Sequence, residues 1–207
     1  MTSPVDVERS MLLSVSDYLR TVPNEVISDV LRRLGSTNFS LKGLQCVTSV
    51  GTDGNHLAGP AFTIHRGLPN FAHAPSDDVR KGLPAIVKQS QRGDVVVVAA
   101  QASGEAIWGD FITKTSKEHG VAGVVVDGCV RNSPEVKRIN LPVFARGVNY
   151  LTSAQPILAY QVPIVVGDAI VRPNDIIVGD AEGVLVVASE LCPQIVDEVK
   201  HELVDRV

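Results

Sequence analysis

The sequence contains few of the residues on which several classes of binding protein depend. Aromatic residues make up 4% of its 207 positions, which argues against stacking platforms for bases and sugars. Its 19 lysines and arginines are outnumbered by 23 acidic residues, so the formal net charge is −4 and no nucleic-acid surface is predicted. An acidic chain can still bind an anionic substrate, because individual arginines and backbone amides decide such binding.

Cysteines and long apolar runs are also scarce. The 3 cysteines, Cys46, Cys129 and Cys192, are far apart and form no CxxC, which argues against a metal cluster or a disulfide framework. The longest purely apolar run, residues 95–100, is too short to span a bilayer. No basic region followed by an apolar run begins the chain, so no signal peptide is predicted. We therefore expect a cytoplasmic protein without a membrane partner.

The middle of the chain alternates strands with helices. A valine-rich strand at 94–100 is followed by a helix at 110–119 and a second strand at 121–126. A strand, a crossover helix and a strand form a βαβ unit, which pairs its strands in parallel. A short helix at 134–138 and a strand at 142–145 repeat the alternation. This region is therefore predicted to be parallel α/β structure.

The two ends of the chain show other patterns. After Val162, short apolar segments are separated by glycine, proline, asparagine and aspartate turns, which is typical of an antiparallel meander. Helical spacing predicts an N-terminal helical extension at 1–22 and a C-terminal helix at 190–207. Hydrophobic residues, 44% of the chain, are enough for one core. We predict a single α/β domain over 1–207, with a parallel βα part and an antiparallel β part.

Residues 120–132 are the most informative segment for function. An apolar strand reaches Asp127 and Gly128, which we predict to form the turn that ends it. Arg131 and Asn132 would then lie just beyond the strand's carboxyl end, where open α/β sheets usually bind ligands. The sequence contains no nucleophile elbow, Walker loop or dinucleotide fingerprint, and its histidines lack metal-binding spacing.

Asp110 and Arg131 are predicted to share a pocket, because successive strand ends in βα structure lie side by side. Backbone amides at the start of the helix near Asp110 could bind a carboxylate or phosphate. Arginine suits the capture of a carboxylate and the stabilisation of a developing enolate. On the sequence alone, a salt bridge between two loops explains this pair more simply.

Three residues near the same strand end offer oxygen ligands. Asp127, Asn132 and Glu135 carry the carboxylate and amide groups that Mg²⁺ or Mn²⁺ prefers. Such groupings are also common in surface turns, so their spacing alone does not specify a metal site.

Several segments together resemble the RraA-like family. The family includes 4-hydroxy-4-methyl-2-oxoglutarate aldolases, oxaloacetate decarboxylases and a regulator of ribonuclease activity. The matching segments follow one another in order at 57–63, 93–98, 106–110, 120–131, 141–147 and 173–184. The resemblance implies a swivelling β/β/α-type domain that assembles as a homotrimer or homohexamer. It also implies a lyase that uses Mg²⁺ or Mn²⁺ to release pyruvate from a small 2-oxo acid.

The resemblance also implies roles for individual residues. Arg131 would steady the enolate oxygen, and Asp110 would orient water or relay the proton. Glu135 would support the metal without binding it directly, and Asp127 is a further possible ligand. The substrate-binding set would comprise Gly109, Asp110, Phe111, Ile112 and Arg131.

Asn132 stands where aldolases of the family have a metal-binding aspartate. Asparagine keeps an oxygen donor but removes the charge, so a hard cation should bind more weakly. Asn132 could still hold the metal with help from Asp127 or Glu135, or the enzyme could act on another substrate. The alternative is a non-catalytic binding or regulatory protein of the same fold.

Overall fold

The computed structural model describes residues 4–48, 57–67, 80–101 and 103–206. The helices are α1 (Pro4–Leu19), α2 (Asn24–Arg33), α3 (Leu83–Val87), α4 (Asp110–Glu118), α5 (Ser133–Ile139) and α6 (Cys192–Asp205). The strands are β1 (Gln45–Cys46), β2 (Leu57–Arg66), β3 (Val95–Ala99), β4 (Ala106–Trp108), β5 (Gly123–Val130), β6 (Val143–Val148), β7 (Ile157–Tyr160), β8 (Ile164–Val166), β9 (Ala169–Val171), β10 (Ile176–Asp180) and β11 (Gly183–Val187). Among the described helices, none is long and apolar enough to cross a membrane.

One mixed sheet carries most of the strands, in the order β1-β6-β5-β3-β2-β10-β11. Strands β2, β3, β5 and β6 pair in parallel, and β4 adds to β5 in the same direction. Strand β10 pairs antiparallel with both β2 and β11, and β8 forms a separate hairpin with β9. The predicted α/β class, with a parallel βα part and an antiparallel part, is confirmed.

Apolar side chains pack against both faces of the sheet. In β3, Val96 and Val98 pack towards α3, α4 and α5, whereas Val95 and Val97 face the β8–β9 hairpin. All four valines are fully buried, as expected for a parallel strand covered on both faces. Helices α1, α2 and α6 cover β10 and β11 with a further apolar cluster. The strand ends that carry the candidate site are therefore fixed by packing.

The predicted turn at Asp127 and Gly128 is wrong, because β5 continues to Val130. Pairing with β6 shifts register between Val126 and Cys129, so the strand is irregular there but does not end. Gly128 fits because a Cβ atom would lie 3.0 Å from the side chain of Ile107. These tertiary contacts replace the turn that the local Asp-Gly pair suggested.

Candidate functional site

A cleft of about 190 Å³ lies where β2, β4 and β5 end and α4 begins. Its lining residues are Arg66, Pro84, Ala106, Ile107, Trp108, Gly109, Asp110, Phe111, Ile112, Arg131 and Thr152. All five predicted substrate-binding residues are among them. The position beyond parallel strand ends is the one that α/β folds commonly use for ligands.

The position of Arg131 is set by β4 and by the loop after β6. Its backbone N–H donates to the carbonyl oxygen of Trp108 at 3.0 Å, and its Nη1 donates to Thr152 Oγ1 at 3.0 Å. A Cβ atom on Gly109 would lie 3.2 Å from Arg131 Cγ, so glycine lets the arginine lie against the start of α4. Within the described chain, the other guanidinium N–H groups have no protein acceptor. They are available to an anion.

Asp110 is the first residue of α4 and is half-buried in the same cleft. Its carboxylate forms no hydrogen bond or ion pair with the described residues, so the simpler salt bridge with Arg131 is not present there. The first amides of a helix lack intrahelical acceptors and lie at the positive end of its dipole. Among the described residues, the cleft therefore combines an unpaired carboxylate, a guanidinium with one hydrogen bond and no ion pair, and a helix start.

A buried hydrogen-bond chain fixes this helix start. The indole Nε1 of Trp108 donates to Thr113 Oγ1 at 2.8 Å, and the hydroxyl of Thr113 donates to the carbonyl of Gly109 at 2.7 Å. Trp108 is 3% exposed and Thr113 is fully buried. Sequence reasoning missed this hydrogen-bond chain. Only five positions separate Trp108, at the end of β4, from Thr113, in the first turn of α4.

Arg66, the last residue of β2, is a second arginine in the cleft that sequence reasoning missed. Its Nε and Nη2 both donate to the carbonyl oxygen of Gln155, at 3.1 and 2.5 Å, and its Nη1 donates to the carbonyl of Ile107 at 3.1 Å. Burial lowers the pKa of Arg66 below its usual value, because a low-dielectric environment disfavours the charged form. An arginine at the end of a mainly apolar strand was the signal available in the sequence.

The three predicted oxygen ligands are not in one place. Asn132 is exposed, caps the N-terminus of α5 with φ 53°, and makes no side-chain capping bond. Glu135 pairs with Arg138 on the same helix. Asp127 is 3% exposed and lies 2.5 Å from Arg146, on the face of β5 opposite to Val126. Asn132 and Glu135 are thus together at the start of α5, whereas Asp127 is held by another partner.

Two oxygen donors of the kind that Mg²⁺ or Mn²⁺ prefers lie at the starts of α4 and α5. Within the described ranges, no group of three or more histidine, cysteine, aspartate or glutamate side chains could hold a metal. Available donors are the unpaired carboxylate of Asp110 and the amide of Asn132. Mg²⁺ is commonly bound by one or two carboxylates, with water and substrate oxygens completing its shell. Of these two donors, Asp110 lines the cleft, whereas Asn132 follows the cleft residue Arg131 in sequence.

Comparison with known proteins identifies a matching family and several similar proteins. The model of the family described as RraA-like: Aldolase/RraA matches residues 25–186. A Halalkalibacterium halodurans protein named "Putative 4-hydroxy-4-methyl-2-oxoglutarate aldolase" is 33% identical over 188 residues, which cover 90% of this chain and 82% of that protein. A protein of the same name from Alkalilimnicola ehrlichii is 30% identical over 142 residues, covering 65% of this chain and 88% of the relative.

The chain is also similar in structure to a protein that is described as a member of an inhibitor family. Streptomyces coelicolor RraAS2, titled an unusual member of the RNase ES inhibitor RraA protein family, superposes with a TM-score of 0.81. The two are 28% identical, and the superposition covers 93% of this chain and 95% of that one.

Proposed function

The chain belongs to the RraA-like family, and from that membership we propose that it is a lyase acting on a small 2-oxo acid. The reaction would be retro-aldol cleavage of a 4-hydroxy-4-methyl-2-oxoglutarate type of substrate, or decarboxylation of an oxaloacetate type, with release of pyruvate. The observation that carries the proposal is that Asp110 and Arg131 share one cleft with no salt bridge between them among the described contacts. Both charges are therefore available to a substrate.

Each group in the cleft has a role in this chemistry. The first amides of α4, at Asp110, Phe111 and Ile112, would hold the substrate carboxylate at the positive end of the helix dipole. Arg131 would donate N–H groups to the oxygen on which negative charge develops. Asp110 would orient water or move the proton to the product carbon.

The proposed cofactor is Mg²⁺ or Mn²⁺, which Asn132 would hold with support from Asp110 and Glu135. When bound, such an ion polarises the keto oxygen as a Lewis acid. We leave Asp127 out of this set, because Arg146 already neutralises its carboxylate.

Pyruvate release tests the proposal directly. Oxaloacetate and 4-hydroxy-4-methyl-2-oxoglutarate are each incubated with the protein in Mg²⁺, in Mn²⁺ and in EDTA. We expect metal-dependent pyruvate, and we expect Arg131→Ala to lower kcat by about 100-fold or more, as for removal of one oxyanion donor. Arg32→Ala removes an exposed arginine on α2 that is paired with Asp29, and serves as the control. Full activity in Arg131→Ala would show that the site is misplaced.

A non-catalytic binding or regulatory role is the second candidate. It is favoured by the uncharged Asn132 and by the pairing of Glu135 with Arg138, which leave few charged ligands at the start of α5. This role predicts no metal-dependent pyruvate release from either substrate. The presence or absence of metal-dependent pyruvate release therefore separates the two candidates.

We also propose that the chain forms a homo-oligomer, a trimer or a hexamer. Phe111 at the cleft, Val148 at the end of β6, and the following Tyr150 and Leu151 are 70%, 58%, 91% and 52% exposed. Exposed apolar patches are typical of contacts between proteins, and we propose that these four side chains take part in such a contact. Light scattering of the purified protein would give the number of copies, and a monomeric mass would contradict this proposal.

A further inference from the structure

Arg66 brings a half-buried positive charge into the cleft without a neutralising partner among the described residues. Its acceptors among the described residues are two backbone carbonyl oxygens, those of Gln155 and Ile107, and neither carries a formal charge. Arg131 adds a second positive charge and Asp110 adds one negative charge. Among the described residues, the charged side chains that line the cleft therefore sum to one net positive charge before a ligand binds.

The two arginines lie on opposite edges of β4. Arg66 donates to the carbonyl of Ile107, whereas the backbone N–H of Arg131 donates to the carbonyl of Trp108. Successive carbonyls of an extended strand point to opposite sides, and neighbouring strands are about 4.8 Å apart. The side chains therefore approach the cleft from two directions.

The guanidinium of Arg66 is oriented in advance. Three of the five N–H groups that an arginine carries are used on the two carbonyls, so two remain for a ligand. Because the side chain is already fixed, a ligand that binds these N–H groups loses little further side-chain entropy.

We propose that Arg66 binds a second carboxylate of the substrate and makes the cleft selective for 2-oxo dicarboxylates over 2-oxo monocarboxylates. The inference rests on the proposed function, which places the 2-oxo acid end of the substrate at Arg131 and the start of α4. The distal carboxylate then meets Arg66 across β4 and neutralises a charge that the described residues leave unpaired.

A purely structural role for Arg66 makes a different prediction. If Arg66 only tied the end of β2 to the chain at Gln155, a neutral amide donor would satisfy the same carbonyl oxygens without burying a charge. A buried charge without a counter-ion is costly, and a paired one is less so. The structural role therefore predicts no dependence of affinity on the second carboxylate of a ligand.

Equilibrium binding of two inert probes distinguishes these roles. 2-Oxoglutarate lacks both the 4-hydroxyl needed for retro-aldol cleavage and the β-carboxylate lost in oxaloacetate decarboxylation. 2-Oxobutanoate has the same 2-oxo acid end without the second carboxylate. With Mg²⁺ present, calorimetry should show the wild-type chain binding 2-oxoglutarate at least about tenfold more tightly, as one charged hydrogen-bonded contact provides.

Variants then assign this preference to Arg66. Arg66→Gln should weaken 2-oxoglutarate binding by about 10- to 100-fold and change 2-oxobutanoate binding by less than about threefold. Arg66→Lys keeps the positive charge but loses the planar guanidinium with its paired N–H donors. It should therefore retain part of the preference for 2-oxoglutarate. Arg32→Gln removes an exposed arginine and should leave both affinities unchanged.

Two outcomes overturn the inference. Equal affinity of the wild-type chain for both probes would refute it without any variant, even if Arg66→Gln failed to fold. An equal loss for both probes in folded Arg66→Gln would leave only the structural role. The binding test is independent of turnover. A chain that prefers 2-oxoglutarate but releases no pyruvate would refute the lyase and support the role of Arg66, whereas a chain that releases pyruvate without this preference would support the lyase and refute the role of Arg66.

Discussion

Restoring a carboxylate at position 132 should tighten metal binding without harming the fold. Asn132 occupies the left-handed region at the N-terminus of α5, where asparagine and aspartate are both well tolerated. A unit charge pair at 4 Å is worth about 1 kcal/mol in water and about 4 kcal/mol at an effective dielectric of 20, and a divalent ion doubles this. For an exposed site we take the low end. We therefore expect Asn132→Asp to lower the Kd for Mn²⁺ by at least about tenfold, or about 1.4 kcal/mol.

Asn140 provides a closely matched control. It caps the opposite end of the same helix, also has left-handed backbone angles (φ 55°, ψ 52°), and is exposed. Asn140→Asp therefore makes the same chemical change away from the site. The helix dipole predicts opposite effects on unfolding without metal, because Asn132→Asp should stabilise and Asn140→Asp destabilise by about 0.3–1 kcal/mol each.

Calorimetric titration with Mn²⁺ and thermal unfolding in EDTA measure these two effects. If Asn132→Asp changed the Kd by less than about threefold, Asn132 would not be a metal ligand. Equal tightening by Asn140→Asp would show that the gain comes from net charge alone. If metal binding tightened and pyruvate release stayed absent, the regulatory candidate would be favoured over the lyase.

Two further predictions concern the stability of the fold. Thr113→Val keeps the shape of the side chain but leaves the indole N–H of Trp108 buried without its acceptor, so denaturant unfolding should show a loss of about 1–3 kcal/mol. Thr115→Val, at a partly exposed threonine of the same helix, should cost under about 0.5 kcal/mol, and equal losses would contradict the role of the buried hydrogen-bond chain. Burial raises the pKa of Cys192 from 9.0 to about 11, so the unfolded thiol ionises first and stability should fall as pH rises between these values. Cys192→Ala should flatten this part of the profile, and an unchanged slope would assign it to another group.

The sequence predicted those parts of the structure whose signals lie in neighbouring residues, and it missed those that depend on contacts far apart in the chain. The alternation of valine-rich strands with helices predicted β3, α4 and β5, because hydrophobic periodicity depends on neighbouring residues. The local Asp-Gly pair gave a wrong turn, since Arg146 and Ile107 bring the contacts that keep residues 127 and 128 in the strand. Arg66 was missed for the same reason. Its acceptors lie 41 and 89 residues away, and no short-range pattern encodes them.

Position 132 explains how one fold can serve either candidate function. The backbone there has φ 53° and ψ 42°, so the fold restricts the residue to the few types that adopt left-handed angles readily. Asparagine and aspartate both meet that requirement, and neither would alter the packing of an exposed helix start. Exchange between them therefore changes the charge offered to a metal while the cleft, Arg131 and Asp110 remain in place. If Asn132 is a metal ligand, as proposed, the catalytic and regulatory candidates can differ at this residue through electrostatics alone, and the charge at 132, rather than the fold, would separate them.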